Sequence, residues 1–336
     1  MTRLSVVVPT YNGRDLLEPC LASLARHRPG EGVEVIVADD ASTDGTAEWL
    51  TTAYPEVRVV RLAQNSGFVA AANAGIAAAR GDFIQLLNND AEVTANWVEA
   101  SLEPFRDPTV GSVAPLVLVR SNPDRVDSAG DLYSIVGWPA KRGHGEPAAR
   151  WRAHPPDRVF AASGSSAIYR GDAIRKLGGF DPAFGSYYED IDLAFRLRWL
   201  GYSCAFAPEC VVLHEVSATY DHARPDLQRR MSRNAEFLFW ADLPLPHLLA
   251  ALGPHLAFTA AQLAWRLARR RATPFLLGKL DALRLLPTLS ARRRGRAQLA
   301  HAPIARPHFP IHLPTIGDVR NHLQRPKEAS GRSPSS

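Results

Sequence analysis

Cysteine is scarce in this chain of 336 residues, which contains only Cys20, Cys204 and Cys210. Three cysteines form neither an even set nor a CxxC pair, which argues against a disulfide framework. Long apolar runs are also missing. The best candidate, residues 243–267, is interrupted by Pro, His, Gln and Arg, so we expect no membrane-spanning helix. The strand-like SVVVP begins at residue 5, too early for the apolar core of a signal peptide. These absences predict a cytoplasmic protein.

Glycine-rich phosphate-binding motifs are absent as well. The sequence has neither GxGxxG after its first predicted strand nor GxxxxGK[ST] anywhere, which argues against dinucleotide redox enzymes and P-loop proteins. The GxSxG nucleophile motif is also missing, so the serines of AASGSSAIY (161–169) either offer hydroxyls and amides to a ligand or form a plain turn. If the protein binds phosphate, it must neutralise the charge in another way, for example with a metal ion.

Positive charge is concentrated near the carboxyl end. Residues 261–300 contain ten Lys and Arg and one Asp, a net charge of +9, which leaves −4 for the rest of a chain whose total is +5. Apolar turns alternate with arginine clusters there, which favours helices lying in a membrane interface with arginines on anionic headgroups. The alternative is a soluble helical extension with a solvated basic face. Nucleic-acid binding lacks support, because no aromatic platform or recognition motif accompanies the arginines.

Strand and helix patterns alternate from the first residues onward. Strand-like apolar runs at 4–8, 33–38, 57–62 and 83–87 are separated by helical patterns, which predicts an α/β fold with a mostly parallel mixed sheet flanked by helices. A long polar stretch, 120–158, carries Trp138 and Trp151. We expect a binding loop or lid there, with its aromatic rings available for stacking. Residues 301–336 hold six prolines and predict a disordered tail.

Polar residues follow the predicted strands, and the most informative stretch is GDFIQLLNND (81–90). It predicts a buried strand that ends before Asp90. Ligands of open α/β sheets bind at carboxyl ends of strands, where a carboxylate can hold a divalent cation against phosphate. The alternative is an ordinary Asn/Asp turn in which Asp90 caps the next helix.

A second acidic stretch, GGFDPAFGSYYEDIDLAFRLRWL, spans residues 178–200. Asp192 can pair with Arg196 at i, i+4, which is a purely structural role. Glu189 and Asp190 are adjacent carboxylates at a helix start. Their repulsion raises the pKa of one of them, as is typical of a general base. His214 ends a later strand-like run, and Glu215 is a candidate partner for a metal-bound imidazole.

Five motifs occur in order: VVVPTYNG (6–13), VIVADDASTDGT (35–46), QNSGFVAAANAGIAAARGDFIQLLNND (64–90), the acidic stretch at 178–202, and VVLHEVS (211–217). Together they resemble the inverting glycosyltransferases of family 2, which have the GT-A (Rossmann-like) fold. Bacterial rhamnosyltransferase-like and galactofuranosyltransferase-like members are the most similar. The resemblance covers about residues 3 to 220.

The resemblance implies roles for individual residues. Asp39 would hydrogen-bond the base, Asp190 would be the catalytic base with Glu189 beside it, and Asp90 and His214 would bind Mg²⁺ or Mn²⁺. Two amides, Asn88 and Asn89, stand where the family has further carboxylates, so the donor's diphosphate would have to supply more of the metal ligands. The other implied donor-binding residues are Pro9, Thr10, Tyr11, Asn12, Asp44, Asn65 and Gly67.

From this resemblance we expect metal-assisted single displacement of a sugar from a nucleotide-diphosphate donor. The donor is dTDP-rhamnose or a UDP-sugar (galactose, galactofuranose or GlcNAc), and the acceptor is a cell-surface glycan or a polyprenyl-linked precursor. A catalytically silent glycan-binding protein on the same fold is the alternative. The expected organisation is a nucleotide-sugar half (1–115), an acceptor and catalytic half (116–220), a basic helical segment (221–300) at the inner membrane face, and the tail (301–336).

Overall fold

The computed structural model describes residues 3–27, 32–215, 224–300 and 308–312. Strands and helices alternate in its first part, as the sequence predicts. The elements are β1 (Leu4–Thr10), α1 (Arg14–His27), β2 (Val33–Asp39), α2 (Thr46–Ala53), β3 (Arg58–Arg61), α3 (Phe68–Ala78), β4 (Phe83–Leu87), β5 (Ala91–Val93) and α4 (Trp97–Leu102). A short 3₁₀ helix, Glu103–Arg106, follows α4.

The second part adds strands to the same sheet and then becomes helical. Its elements are β6 (Val110–Val119), β7 (Asn122–Ser128), β8 (Asp131–Ser134), β9 (Pro139–Lys141), α5 (Ala148–Arg152), β10 (Arg158–Val159), β11 (Ser166–Arg170), α6 (Gly171–Lys176), α7 (Glu189–Trp199), β12 (Ser203–His214), α8 (Pro225–Asp242), α9 (Leu245–Ala268), α10 (Ala272–Leu283), α11 (Leu286–Leu299) and β13 (Ile311–His312).

One mixed sheet organises the domain, in the order β10-β12-β6-β11-β4-β1-β2-β3. The strands β4, β1, β2 and β3 are parallel, whereas β11 is antiparallel to both β4 and β6. Apolar clusters cover both faces, with α3, α6 and α7 on one side and α1 and α4 on the other. The boundary predicted between residues 115 and 116 falls inside β6, so the two predicted halves share this sheet.

The stretch 120–158 is not an irregular lid. It forms β7, β8, β9 and α5, and its two tryptophans are core residues: Trp138 is 7% exposed and Trp151 is 5% exposed. Trp138 stacks on Phe258 of α9, and Trp151 packs edge-on against Phe206 of β12. The prediction that these rings wait for a ligand is therefore wrong, because long-range packing partners bury them.

Several cations of the basic segment face the protein rather than an external anion. Arg296 pairs with Asp192 and Asp242, each at 2.6 Å, while Arg292 pairs with Asp181. These contacts dock α11 on α7 and α8, so the expectation that the arginines face headgroups is wrong for them. Buried carboxylates attract these guanidinium groups because they need a counter-charge.

Helix α9 bears on the expectation that no helix spans a membrane, through its length and composition alone. With 24 residues, it is the one helix in the described part of the chain that is long and apolar enough to cross a membrane. Pro244 and Pro246 stand at its start, where a proline's missing N–H costs nothing, and Pro254 is accommodated inside. Of the predicted tail, 308–312 are described, and Ile311–His312 pair with β8; the remainder lies outside the described residues.

Candidate active site

The carboxyl ends of β1, β2 and β4 meet at one edge of the sheet, and several predicted pocket residues lie there. Thr10 pairs with Asp39 in the register of β1 and β2. The side-chain amide of Asn89, just beyond β4, donates a hydrogen bond to Thr10 Oγ1 at 3.1 Å. Pro9 is buried, whereas the ring of Tyr11 is 48% exposed. Three strand ends thus form one polar surface with an aromatic ring beside it.

Asp39 is buried and keeps one oxygen without a hydrogen bond. Its Oδ1 accepts from the amide of Ser42 at 3.0 Å. Its Oδ2 has no hydrogen-bond partner in the described part of the chain, although Arg61 Nε lies 3.4 Å away. Asn12, left-handed at φ 47°, braces the adjoining loop by accepting from the amide of Thr43 at 2.8 Å. A fixed buried acceptor of this kind suits the N–H donor of a nucleobase.

Asp40, which sequence reasoning left without a role, organises the start of α3. Its two oxygens accept from the amides of Ser66 and Gly67, each at 2.7 Å. Gly67 has φ 87°, a conformation that favours glycine. The predicted role of Gly67 therefore includes a backbone requirement, and Asp40 fixes the loop that carries it.

Asp44 and Asn65 lie near this edge of the sheet but have different surroundings. Asp44 accepts hydrogen bonds from the amide (3.1 Å) and hydroxyl (2.5 Å) of Thr46, so its carboxylate is engaged at the start of α2. Partial burial raises the pKa of Asp44, but those hydrogen bonds outweigh it and lower the pKa below its ordinary value. Asn65 is exposed at the surface.

Asp90 and His214 come together where β5 pairs with β12. His214 Nε2 lies 3.3 Å from Asp90 Oδ1, and its Nδ1 lies 3.1 Å from Asp127 Oδ2. Lys141 Nζ binds both oxygens of Asp127, at 2.7 and 2.8 Å. Burial lowers the pKa of His214, but the two flanking carboxylates outweigh burial and raise it to about 9.

Asp127 is the partner of His214 that the sequence did not reveal. The predicted partner, Glu215, instead lies 3.9 Å from Arg120. Burial opposes ionisation of Asp127, but Lys141 and hydrogen bonds from His144 and His214 hold its pKa well below its ordinary value. A carboxylate on Nδ1 directs Nε2 of the same ring toward a metal position.

This pair fits a divalent cation when a ligand supplies further oxygens. Asp90 Oδ1 is buried and has no hydrogen-bond partner among the residues that the structure covers, so it has an unused lone pair toward His214. Within the same residues, no group of three His, Cys, Asp or Glu side chains could hold a metal by itself. Oxygen from a diphosphate would complete such a shell.

Glu189 and Asp190 begin α7, where Glu189 is buried and Asp190 is half-buried. Asp190 Oδ2 accepts from the amide of Gly164 and its Oδ1 from that of Ile191, each at 2.8 Å. Burial and the neighbouring Asp190 raise the pKa of Glu189 to about 8. Burial also raises the pKa of Asp190, and the hydrogen bond from the amide of Gly164 opposes this rise. The pair therefore favours one neutral and one ionised carboxyl near neutral pH.

The segment 163–166 connects the two carboxylate sites. Gly164 donates to Asp190, and the carbonyl of the next residue, Ser165, accepts from the amide of Asn88 at 3.0 Å. Asn88 lies two residues before Asp90. The AASGSS stretch therefore contributes backbone groups that hold the two sites beside each other, and Asn88 takes part through its backbone amide rather than its side chain.

The loop before α7 is strained, and a buried asparagine of α8 braces it. Gly185, Tyr187 and Tyr188 have φ of 70°, 68° and 71°. Left-handed conformations are costly for tyrosine and persist only where the surroundings impose them. Asn234 of α8, fully buried, donates to the carbonyls of Phe184 (3.1 Å), Ser186 (3.1 Å) and Tyr187 (2.7 Å). Asn234 thus fixes the approach to Glu189 and Asp190.

Comparison with known proteins gives matches in both sequence and structure. A family model described as Glycosyl transferase family 2 matches residues 5–178. The chain is 33% identical over 238 residues to N-acetylglucosaminyl-diphospho-decaprenol L-rhamnosyltransferase of Mycobacterium tuberculosis. That match covers 63% of this chain and 75% of the relative.

Solved structures with the same architecture include the mannosyltransferase PcManGT from Pyrobaculum calidifontis, in complex with GDP-Man and Mn²⁺. Its TM-score is 0.52 at 21% identity, over 84% of this chain and 87% of that one. TarS 1-349 of S. aureus, in complex with UDP-GlcNAc, has a TM-score of 0.54 at 16% identity, over 90% and 91%. At such identities the likeness shows the fold alone, and the GT-A prediction is confirmed.

Proposed function

The chain belongs to glycosyl transferase family 2, and from this membership and the site geometry we propose that it transfers rhamnose from dTDP-rhamnose with inversion. The acceptor in this proposal is a lipid-linked glycan precursor. The relative that is 33% identical is named as a rhamnosyltransferase acting on N-acetylglucosaminyl-diphospho-decaprenol, which supports both choices. UDP-galactose, UDP-galactofuranose and UDP-GlcNAc are the competing donors within the same chemistry.

The observation that carries the proposal is the connection between the two carboxylate sites through Gly164 and Ser165. Inverting transfer needs a base on the acceptor side and charge neutralisation on the leaving-group side. Asp190 takes the proton of the acceptor hydroxyl. The acceptor oxygen then forms a bond to the anomeric carbon as the bond to the diphosphate oxygen breaks, and the electron pair leaves with the nucleotide diphosphate.

Asp90 and His214 would hold Mg²⁺ or Mn²⁺ at the leaving group. When bound, the cation supplies positive charge to the departing diphosphate. The remaining contributions are the chain's own. Asp39 offers to the base its Oδ2, which accepts no hydrogen bond from a described residue. The ring of Tyr11 is exposed beside it, and Glu189 stays protonated so that Asp190 carries the negative charge.

A location at the inner face of the membrane suits a lipid-linked acceptor, and two helices support it. Between α9 and α10, the exposed turn Arg269–Arg271 follows Trp265, whose ring lies 4.2 Å from the Arg269 guanidinium. Arginine beside tryptophan is typical of a membrane interface. Both helices also expose leucines to solvent: Leu245, Leu249, Leu252, Leu256, Leu267, Leu276, Leu277, Leu280 and Leu283.

The donor proposal is tested by thermal unfolding of the protein with dTDP-rhamnose, UDP-galactose, UDP-GlcNAc or GDP-mannose, each with and without Mn²⁺. A ligand that binds only the folded state raises the melting temperature. We expect a Mn²⁺-dependent rise with dTDP-rhamnose, and Asp90→Asn should remove the Mn²⁺ dependence. A rise with another donor alone would replace rhamnose, and no rise with any would contradict the binding of dTDP-rhamnose.

The role of Asp190 is tested separately with Asp190→Asn. This variant should lower turnover by about 10²–10⁴-fold, the usual contribution of a general base, while the donor-induced thermal shift remains. Glu189→Gln is the matched control, since an amide resembles the protonated acid. Undiminished turnover of the Asp190 variant would remove that residue from the role.

A further inference from the structure

A cavity of about 270 Å³ lies between the start of α3 and the strained loop before α7. Ser66, Gly67 and Phe68 line one side, residues 182–186 line the other, and Arg230 and Arg233 of α8 complete it. The amides of Ser66 and Gly67 already donate to Asp40. Positive charge in this cavity therefore comes from the two arginines rather than from the helix start.

Both arginines lack a carboxylate partner among the residues that the structure describes, although each is half-buried. Arg230 donates to Ser186 Oγ at 2.5 Å. Arg233 donates to the carbonyls of Ala183 (2.8 Å) and Phe184 (3.0 Å). Neutral acceptors orient these guanidinium groups, and neither group forms an ion pair with a described residue.

Arg229, adjacent to Arg230 on α8, has a carboxylate partner. It binds Asp281 of α10 through two nitrogens, at 2.5 and 2.8 Å. Burial lowers the pKa of Arg233, and the like charge of Arg230 lowers it further, which Asp281 only partly offsets. Two neighbouring cations in a cavity are costly unless an anion joins them.

The position of the cavity suggests which anion this is. One wall belongs to the loop that Asp40 fixes on the donor side, and the other wall leads within three residues from Ser186 to Glu189. Helix α8 also packs closely on α10, where a Cβ on Gly278 would lie 2.3 Å from the carbonyl oxygen of Arg229. The cavity therefore lies beside the proposed reacting centre and next to a helix of the proposed membrane face.

We propose that Arg230 and Arg233 bind the diphosphate group of a substrate. Guanidinium groups recognise phosphate oxygens through paired, charge-assisted hydrogen bonds. This inference rests on the proposed function, in which two substrates carry a diphosphate: the nucleotide donor and the polyprenyl-linked acceptor. The cavity serves one of them, and their different remaining parts allow a test to tell which.

The test measures binding of three probes by titration calorimetry: dTDP with Mn²⁺, farnesyl diphosphate, and inorganic pyrophosphate. Arg230→Gln should weaken pyrophosphate and one of the other two by about 10- to 100-fold, through loss of a charge-assisted contact. Weakening of dTDP assigns the cavity to the donor, and weakening of farnesyl diphosphate assigns it to the acceptor. Arg230→Lys should recover part of the affinity, and farnesol should bind both forms equally.

Arg229→Gln is the matched control, because it removes a neighbouring charge that already has a partner, and it should leave all three affinities unchanged. The inference is overturned if Arg230→Gln binds every probe as the unaltered protein does, or if Arg229→Gln weakens them equally. Those results would leave the donor-induced thermal shift and the Asp190 result intact. Conversely, Arg230-dependent pyrophosphate binding without any nucleotide-sugar binding would keep this site and reject the proposed function.

Discussion

Replacing Glu189 with glutamine should stabilise the protein by an amount that depends on pH. The side chain is 6% exposed, and its Oε2 has no hydrogen-bond partner among the described residues. Its pKa is about 8 in the folded chain against an ordinary value of 4.5. Between these values the folded state binds a proton that the unfolded state has lost, so stability falls as pH rises through this window.

The size of the effect follows from that difference. Ionisation of Glu189 stabilises the unfolded chain relative to the folded chain by about 3 kcal/mol at pH 7 and by about 1 kcal/mol at pH 5. Glutamine does not ionise, so the Glu189→Gln variant avoids this loss of stability. At about 2 °C per kcal/mol, the variant should melt about 6 °C above the unaltered protein at pH 7 but only about 2 °C above it at pH 5.

The assay is thermal unfolding followed by circular dichroism from pH 5 to pH 8.5. Glu236→Gln provides a control of opposite sign. Burial raises the pKa of Glu236, but His255 and Lys279 outweigh burial and lower it to about 2. Its stabilisation is therefore complete above pH 4.5, and its variant should melt lower at pH 7. A Glu189→Gln difference that stays constant or shrinks from pH 5 to pH 8 would refute the reasoning.

Two further predictions concern the metal and the membrane. Asp127→Asn should raise the Mn²⁺ concentration needed for the dTDP-induced thermal shift by about 10- to 100-fold, because Asp127 orients His214. Asp124→Asn, at an exposed position on the same strand, should leave that concentration unchanged. Equal Mn²⁺ midpoints for Asp127→Asn and the unaltered protein would contradict the orienting role. The double variant Leu249→Glu and Leu256→Glu should reduce co-sedimentation with anionic vesicles at least several-fold, because both leucines are exposed on α9. The melting temperature is the control that the variant is folded. Unchanged pelleting would reject α9 as the membrane face.

Point substitutions on α9 are a sharper membrane test than truncation. Removing residues from 261 onward would delete α10 and α11 together with the ion pairs of Arg292 and Arg296. Loss of membrane binding could then follow from unfolding alone. Leu249 is 67% exposed, so replacing it leaves the packed core untouched.

The parts of the fold that depend on local pattern could be predicted from the sequence. The short apolar run before Asn88 forms β4, and the strand that ends at His214 forms β12, as expected. The Asp192–Arg196 pair also forms, at 2.7 Å. In each case the pattern and its consequence lie within a few residues, where periodicity and spacing determine the geometry.

Contacts between distant segments could not be predicted in the same way. Asp127 meets His214 across 87 positions, and Asn234 reaches Tyr187 across 47. Nothing in the residues around Asp127 or Asn234 marks them, since a lone Asp or Asn in a polar stretch is common. Their roles come from the register of β7 on β6 and from the packing of α8, both of which are tertiary.

Charge composition illustrates why the remaining cations are the informative ones. A count over 261–300 gives +9, yet Arg292 and Arg296 are neutralised by carboxylates that lie far away in sequence. A basic composition therefore cannot separate a surface that awaits an anion from one that already has it. The structure separates the two, because an arginine with a carboxylate partner has little to gain from a ligand, whereas Arg230 and Arg233 form no ion pair with a described residue. A ligand's phosphate is the missing partner, whereas Arg229, adjacent on the same helix, already has its carboxylate partner in Asp281 of α10.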